Sequence, residues 1–380
     1  MIQAALPLSL PPHLPLFAPI AARRPADPAR PALPLHPGGA LAEAAPDRIG
    51  FEIGWDHAQW RLTPPLAHLH AGSSVRQGWA AGRAVIGNRS RKPTAAHRQW
   101  LQLRLQAWQQ GASFESLQVT PRWLGRLAAP LCPVTRRPLA ADCAFGAELQ
   151  QIVRLNRHAA YAAGNLAALA PAAADAASRL SWDQARAMAE QAGAQPNTAP
   201  HDLGAAAWLR LAVLMSLAAP LPHALAASLP LVVLPAPAMR VLNPVQALQV
   251  ALTRLFLAPQ AAARIHAWAT LMPDAETHQA TLLLLHTLLA RRLALPATAL
   301  PLAVTHLLED AWTDPLVQRR WQRLALRLTA AACERLLQAA PQRGLADPGL
   351  RWLPVDQATD GWALHSAGQA AAPTMAGAAH

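Results

Sequence analysis

The chain has 380 residues, a formal net charge of +12 and a pI near 11.4, a length that accommodates one to three domains. Its three cysteines, Cys132, Cys143 and Cys333, form no C-x-x-C pair, which excludes a zinc knuckle and a disulfide framework and fits a reducing cytoplasm. The positive excess is local. Residues 61–160 hold 14 Arg and Lys against three acids, Glu115, Asp142 and Glu148, while the other 280 residues carry a net of only +1. Such a basic stretch is the electrostatic footprint of a nucleic acid or an anionic lipid. Only Lys92 is a lysine, so the choice of arginine reflects a GC-rich coding bias, whereas the clustering does not.

Residues 1–49 are proline-rich with little periodicity and read as extended or disordered. Their apolar run has no basic start and is broken by proline, unlike a signal peptide. Order is expected from Phe51, in the aromatic-rich stretch FEIGWDHAQW. Its Asp56-His57 pair lacks the spacing of a nuclease motif. Residues 72–93 combine glycine, arginine and Trp79 and predict a basic loop whose amides and guanidinium groups follow a phosphate backbone. A helix is expected over 94–111, capped by Thr94, ended by Gly111, with Leu101, Leu105 and Trp108 on one face and Arg98 outward. Trp100 and Trp108 are placed for core packing or for base stacking. Thr120-Pro121 opens a short helix that Pro130 closes. Residues 50–130 thus form an Arg/Trp-rich segment of helices and loops.

In the next stretch LCPVT and ELQQIVRL supply strands, RLNRHAAYAAGN a looping connection, NLAAL a hairpin strand, and Pro171 the first turn of a closing helix. Cys132, Pro133, Leu139, Arg154, Leu155, Asn156, Tyr161, Gly164, Asn165, Leu166 and Leu169 follow one another in the pattern C-P-x-x-G-x-x-L…D-R-[IL]-[DN]…G-Y-x-x-G-N-[LV]-x-x-[LI]. Over residues 131–178 the chain resembles the ββα-metal, or HNH-type (His-Me finger), endonuclease module. The resemblance implies a hairpin packed on a helix, with Arg154 at the end of one strand and Asn165 entering the next. It also implies a degenerate site. Val153 stands at the acidic position and Ala174 at the metal-ligand position of the helix, and neither offers oxygen or imidazole to a hard cation. Arg154 holds the place of the base; its guanidinium clamps a phosphate but releases no proton near neutrality. Asn156 and His158 are the groups within reach of a metal or water, and Asn165 braces the hairpin. No metal ligand set is expected, and a divalent ion such as Mg²⁺ enters only if a metal-dependent endonuclease activity survives.

A helix starting at Ser181 carries a capping box with Gln184, which brings this module and its helix to residues 131–195. The charge-free run 211–239 is cut by five prolines and reads as buried core rather than a membrane span. Asn243-Pro244 and Asp314-Pro315 mark helix starts, and Asp274 caps another whose end is basic. The stretch 315–340 is expected to be one helix with Val317, Trp321, Leu324, Leu328, Ala331, Arg335 and Leu336 inward, and Arg319, Arg323 and Arg327 as a solvated stripe. Residues 200–345 form an Ala/Leu-rich helical domain and 346–380 a flexible tail.

The expected fold is mainly α, with a small α+β (ββα hairpin–helix) module in the first half of a soluble chain. Nucleic acid is the expected partner, DNA ahead of RNA, contacted by Arg76, Arg83, Arg89, Arg91, Lys92, Arg98, Arg104, Arg122, Arg136, Arg137, Arg154 and Arg157. The alternative is a helical structural or protein-interaction protein that meets a partner, or a second copy of itself, through residues 200–345. No membrane contact and no cofactor are expected. Nothing resembling a phosphate-binding glycine loop, a nucleophile elbow or an H-E-x-x-H pair occurs.

Overall fold

The computed structural model describes residues 44–140, 148–194, 203–258, 261–345 and 347–370. The expected disorder over 1–43, together with Asp142 and Cys143, lies outside these residues. Helix α1 (Ala44–Gln59) begins inside the stretch read as disordered. Helix α2 (Ser74–Ile86) occupies most of the segment expected to be a loop, with the Ser73 side chain accepting the Arg76 amide as its cap. The glycines there are packing positions, not breakers. A Cβ on Gly78 would sit 1.9 Å from the Phe51 carbonyl oxygen, and one on Gly54 would sit 2.0 Å from that of Val75. Gly50 faces Ser74 and Gly82 faces Ala58, so the two helices run in the same direction with their backbones nearly touching. At Gly54 and Gly78 the obstacle is the facing backbone itself, so no residue with a side chain fits there.

Helix α3 (Ala95–Gln109) starts at Thr94 as expected, and His97 closes a capping box. It is buried on two sides rather than one. Leu105 joins Ile53 and Val75, whereas Leu103 and Ala107 join Val119, Leu124, Leu127 and Tyr161. Both tryptophans pack: Trp108 against the first group, Trp100 against the second, with the Trp100 indole N–H donating to the Val119 carbonyl at 2.8 Å. Helix α4 (Pro121–Leu124) is short and capped by Thr120.

LCPVT forms a turn rather than the expected strand. The Cys132 carbonyl accepts the Arg136 amide at 2.8 Å, the Cys132 amide donates to the Arg137 carbonyl at 2.9 Å, and Arg136 adopts φ +59°. That left-handed residue stands where the C-P-x-x-G pattern has glycine. Strands β1 (Leu139–Ala140) and β2 (Glu148–Leu149) pair in parallel. Strands β3 (Gln151–Arg154) and β4 (Leu166–Leu169) form an antiparallel hairpin in which Arg154 faces Leu166. All of β4 is buried. Helix α5 (Pro171–Arg179) lies against this hairpin and buries Ala173, Ala174, Ala176 and Ala177, whose short side chains permit a close approach. Helix α6 (Trp182–Ala194) begins as expected, the Ser181 amide donating to Gln184 Oε1 at 2.9 Å.

The second half is helical: α7 (Ala205–Leu217), α8 (His223–Ser228), α9 (Pro244–Arg254), α10 (Ala261–Ala269), α11 (Ala275–Arg292), α12 (Pro301–Ala311), α13 (Pro315–Ala325) and α14 (Ala330–Ala339). Its centre is α9, where every residue from Pro244 to Thr253 is buried. The buried amides on α9 are satisfied internally: Gln246 donates to Ser216 Oγ and Gln249 to the Leu229 carbonyl, both at 3.2 Å. Asn243 does not cap this helix with its side chain. Its Oδ1 instead accepts the Leu221 amide, and its Nδ2 donates to the Ala219 carbonyl. Most of the 211–239 run is buried, and no helix among the described residues is long and apolar enough to cross a membrane.

The single helix expected over 315–340 is two. Cys333 lies nine positions after Leu324, about half a turn out of phase at 3.6 residues per turn, yet both are fully buried. A break, recapped by Thr329, turns both faces toward the same core. Ala331 and Arg335, expected inward, are exposed, while Arg319, Arg323 and Arg327 form the exposed stripe as read.

The segment after 346, expected to be a flexible tail, packs back across the first half as far as Ala370. Trp362 is fully buried, its indole N–H donates to the Ala163 carbonyl at 3.2 Å, and its carbonyl accepts the Ala160 amide at 2.7 Å. Gly368 and Gln369 pair with Ser113 and Ala112. The described residues belong to one compact unit.

Candidate functional site

Arg154 ends β3 and Asn165 immediately precedes β4, the placement the resemblance implies. The connection between them is held by amide chemistry. Asn165 is fully buried; its Oδ1 accepts the Asn156 amide at 2.8 Å, and its Nδ2 donates to the carbonyls of Asn156 at 3.0 Å and Ala160 at 2.9 Å. One side chain therefore clamps both ends of the loop. Asn156 is equally committed, its Nδ2 to the Ala218 carbonyl at 3.1 Å and its Oδ1 to the His158 amide at 3.0 Å.

Arg154 is turned inward. Nη1 donates to the Ala159 carbonyl at 3.0 Å, Nη2 to Gln110 Oε1 at 2.9 Å, and the guanidinium lies over the Tyr161 ring at 4.4 Å. Burial lowers the pKa of this guanidinium, partly offset by Tyr161, and burial likewise raises the Tyr161 phenol. The candidate catalytic groups are therefore split. Asn156, Arg157 and exposed His158 line a pocket of about 280 Å³ together with Ser181, Trp182 and Asp183, and Arg154 is not among its walls. Val153 is half-buried against the core, and Ala174 is 1% exposed beneath the hairpin. Asp175, beside it, forms an ion pair with Arg179. Among the described residues no three His, Cys, Asp or Glu side chains are grouped to hold a metal ion. Cys132 is a buried thiol whose Sγ accepts the amides of Ala170 and Thr135, joining the turn to the start of α5.

The twelve cationic residues separate into three sets. Arg104, Arg136 and Arg154 serve the interior: Arg104 pairs with Asp56 and lies over the Trp100 ring, and Arg136 bridges Glu309 and Asp310 on α12. The partners of these three lie within the chain, on Asp56, on Glu309 and Asp310, and on the Ala159 carbonyl and Gln110. Arg137 pairs with Glu148, and Arg157 donates to the Arg179 carbonyl, at the surface. Arg76, Arg83, Arg89, Arg91, Lys92, Arg98 and Arg122 are exposed.

Most of the exposed set gathers at one end of the α1–α2–α3 unit. The Arg91 amide donates to the Gln59 carbonyl, Arg61 Nε donates to Ser90 Oγ, and the Trp60 and His97 rings lie 3.7 Å apart. Arg91 stands over Trp60 and Arg83 over Trp79. No acidic residue occurs between Asp56 and Glu115, so nothing within this stretch of chain neutralises that end. The Asp56-His57 pair is structural: His57 Nδ1 donates to the Ile53 carbonyl at 2.8 Å, and burial lowers its pKa.

Gln110, Ala218 and Trp362, which hold the loop from outside, carry no signal in the sequence. They come from distant segments. Gly164 does carry one: at φ +91° its amide plane meets Arg240, whose Cβ would lie 2.6 Å from any Cβ on residue 164. No protein-family model, no curated protein and no solved structure matches this chain.

Proposed function

We propose that this chain is a helical structural and interaction protein in which the hairpin–helix element is a scaffold and not a reaction centre. One observation carries the reading: the polar groups that phosphodiester cleavage would need free, on Arg154, Asn156 and Asn165, are bonded within the chain. A buried alanine at position 174 adds no ligand to a divalent ion, whose desolvation would go uncompensated. The interaction surface of this reading lies in the second half, where Leu293 and Leu300 are 71% and 74% exposed around the α11–α12 connection. A contiguous exposed apolar patch is the mark of a protein contact, and this reading places one at that connection. A cytoplasmic location accords with the two buried free thiols, Cys132 and Cys333. Sedimentation at several concentrations tests the surface. Association that Leu293→Ser with Leu300→Ser abolishes is expected, and a strict monomer throughout removes self-association. Supercoiled plasmid incubated with Mg²⁺ or Mn²⁺ should remain intact. EDTA-sensitive nicking that disappears in His158→Ala would overturn the scaffold reading and restore an HNH-type nuclease.

A second reading, nucleic-acid binding without cleavage, is favoured by the acid-free basic end that carries Trp60, Trp79, Arg89, Arg91, Lys92 and Arg98. Guanidinium groups over indoles form surfaces on which bases stack, and the exposed cations follow phosphates. Binding of a labelled duplex should then weaken by orders of magnitude from about 50 to 200 mM salt. Arg89, Lys92 and Arg98 changed together to Glu should remove it. Affinity indifferent to salt refutes this reading, and competition with RNA of the same sequence decides between DNA and RNA.

A further inference from the structure

The chain brings three arginines and two tryptophans from distant segments to one cleft of about 440 Å³. Trp123 and Arg126 come from the α4 region, Arg240 from the connection before α9, and Arg351 and Trp352 from the C-terminal segment; Gly164 also lines it. We propose that this cleft binds a free mononucleotide, with its phosphate on the guanidinium groups and its base against an indole.

The volume lies within the range of small-ligand sites, roughly 300–1,000 Å³. Among the described residues no carboxylate side chain lines the cleft. Arg126 and Arg351 are exposed, and their guanidinium groups have no hydrogen-bond or ion-pair partner among the described residues. Arg240 is the anchored member. It is 8% exposed, and Nη1 alone is held, donating to the carbonyls of Ala358 at 2.9 Å and Asp360 at 3.3 Å. Its Nε and Nη2 have no partner among the described residues, which leaves free the edge that grips a phosphate at two points. Burial depresses the pKa of this guanidinium without discharging it, and the negative charges of Glu115 and Asp360 offset part of that burial cost. A dianionic ligand would complete that compensation.

The backbone around Arg240 is shaped for the position. Its amide donates to the Gly164 carbonyl at 2.9 Å, and Ala238 is held at φ +58°, a conformation that residues with a Cβ rarely take. Trp123 and Trp352 are half-buried, so each keeps part of a ring at the surface for stacking. Gln118, also on the wall, carries an amide able to read the edge of a base.

Titration calorimetry of the full chain with AMP, GMP, CMP and UMP tests the proposal, with inorganic phosphate and adenosine as controls. Saturable one-to-one binding of at least one mononucleotide is expected, with phosphate alone and nucleoside alone each at least about tenfold weaker. The Arg126→Glu/Arg351→Glu variant should lose at least about tenfold in affinity while keeping the wild-type thermal midpoint, because both side chains are exposed. Three results would overturn it. They are no saturable heat with any mononucleotide at millimolar concentration, equal binding by the double variant, and binding confined to a 5′-phosphorylated oligonucleotide.

Discussion

Replacing Asn165 by alanine tests whether the hairpin connection is organised by that one amide. The substitution removes three hydrogen bonds at once. The Asn156 carbonyl keeps a second partner, the Ala159 amide at 3.2 Å, but the Asn156 amide and the Ala160 carbonyl are left buried without one. Each buried orphan costs about 1–3 kcal/mol, so the loss should be on the order of 2–6 kcal/mol. Urea unfolding followed by circular dichroism reads this as a lower midpoint at unchanged slope. Asn165→Asp sharpens the test. The carboxylate still accepts the Asn156 amide but sets a negative oxygen against the Ala160 carbonyl in a fully buried site, so its folded pKa must rise above the unfolded value near 4. An acid whose folded pKa is raised stabilises the fold at low pH and loses that contribution as pH rises through it. The aspartate variant should therefore be weakest at neutral pH and recover on acidification, whereas the alanine variant should show no such recovery. A loss below about 1 kcal/mol in Asn165→Ala would refute the reasoning, since one orphan alone exceeds it.

Arg136→Ala leaves Glu309, whose side chain is 7% exposed, with the Leu234 amide as its remaining hydrogen-bond partner among the described residues and Arg210 as a more distant positive charge, and should cost about 3–5 kcal/mol. Burial already raises the Glu309 pKa, and loss of Arg136 raises it further, so this variant should regain stability as pH falls; a midpoint independent of pH would contradict it. The Cys333 thiol, pushed up to about 12 by burial, should resist iodoacetamide at pH 8.5 in the native protein and react after unfolding. Peptide mapping of the alkylated chain reads the result, and native labelling would place that thiol at the surface. A chain ended after Leu345 loses Trp362 and the pairing of Gly368 and Gln369 with the first half, and should melt well below the full chain or fail to refold. An unchanged melting curve would show the C-terminal segment to be dispensable.

The local elements were legible where a single residue decides them. Thr94, Thr120, Asp274 and Asp314 cap helices because a short polar side chain reaches an otherwise orphaned amide nearby in sequence, and Ser181 opens another with its amide donating to the Gln184 side chain. The hairpin was legible for a similar reason. Arg154, Gly164 and Asn165 keep a fixed order along a short stretch, and Asn165 bonds only backbone within nine residues of itself. Tertiary packing decided the rest. Gly78 and Gly82 mean a loop in isolation and a helix crossing once α1 lies against them. The helix expected to run unbroken from 315 divides because Leu324 and Cys333 must face one core. The fate of the charges lay furthest from the sequence. Arg89, which lies exposed, and Arg136, joined to α12, are the same residue type in the same basic stretch. Only the arrival of Glu309 and Asp310 from more than 170 positions away makes one of them an internal strut. Electrostatic pairing depends on distance in space, and a linear sequence contains that distance only for neighbours.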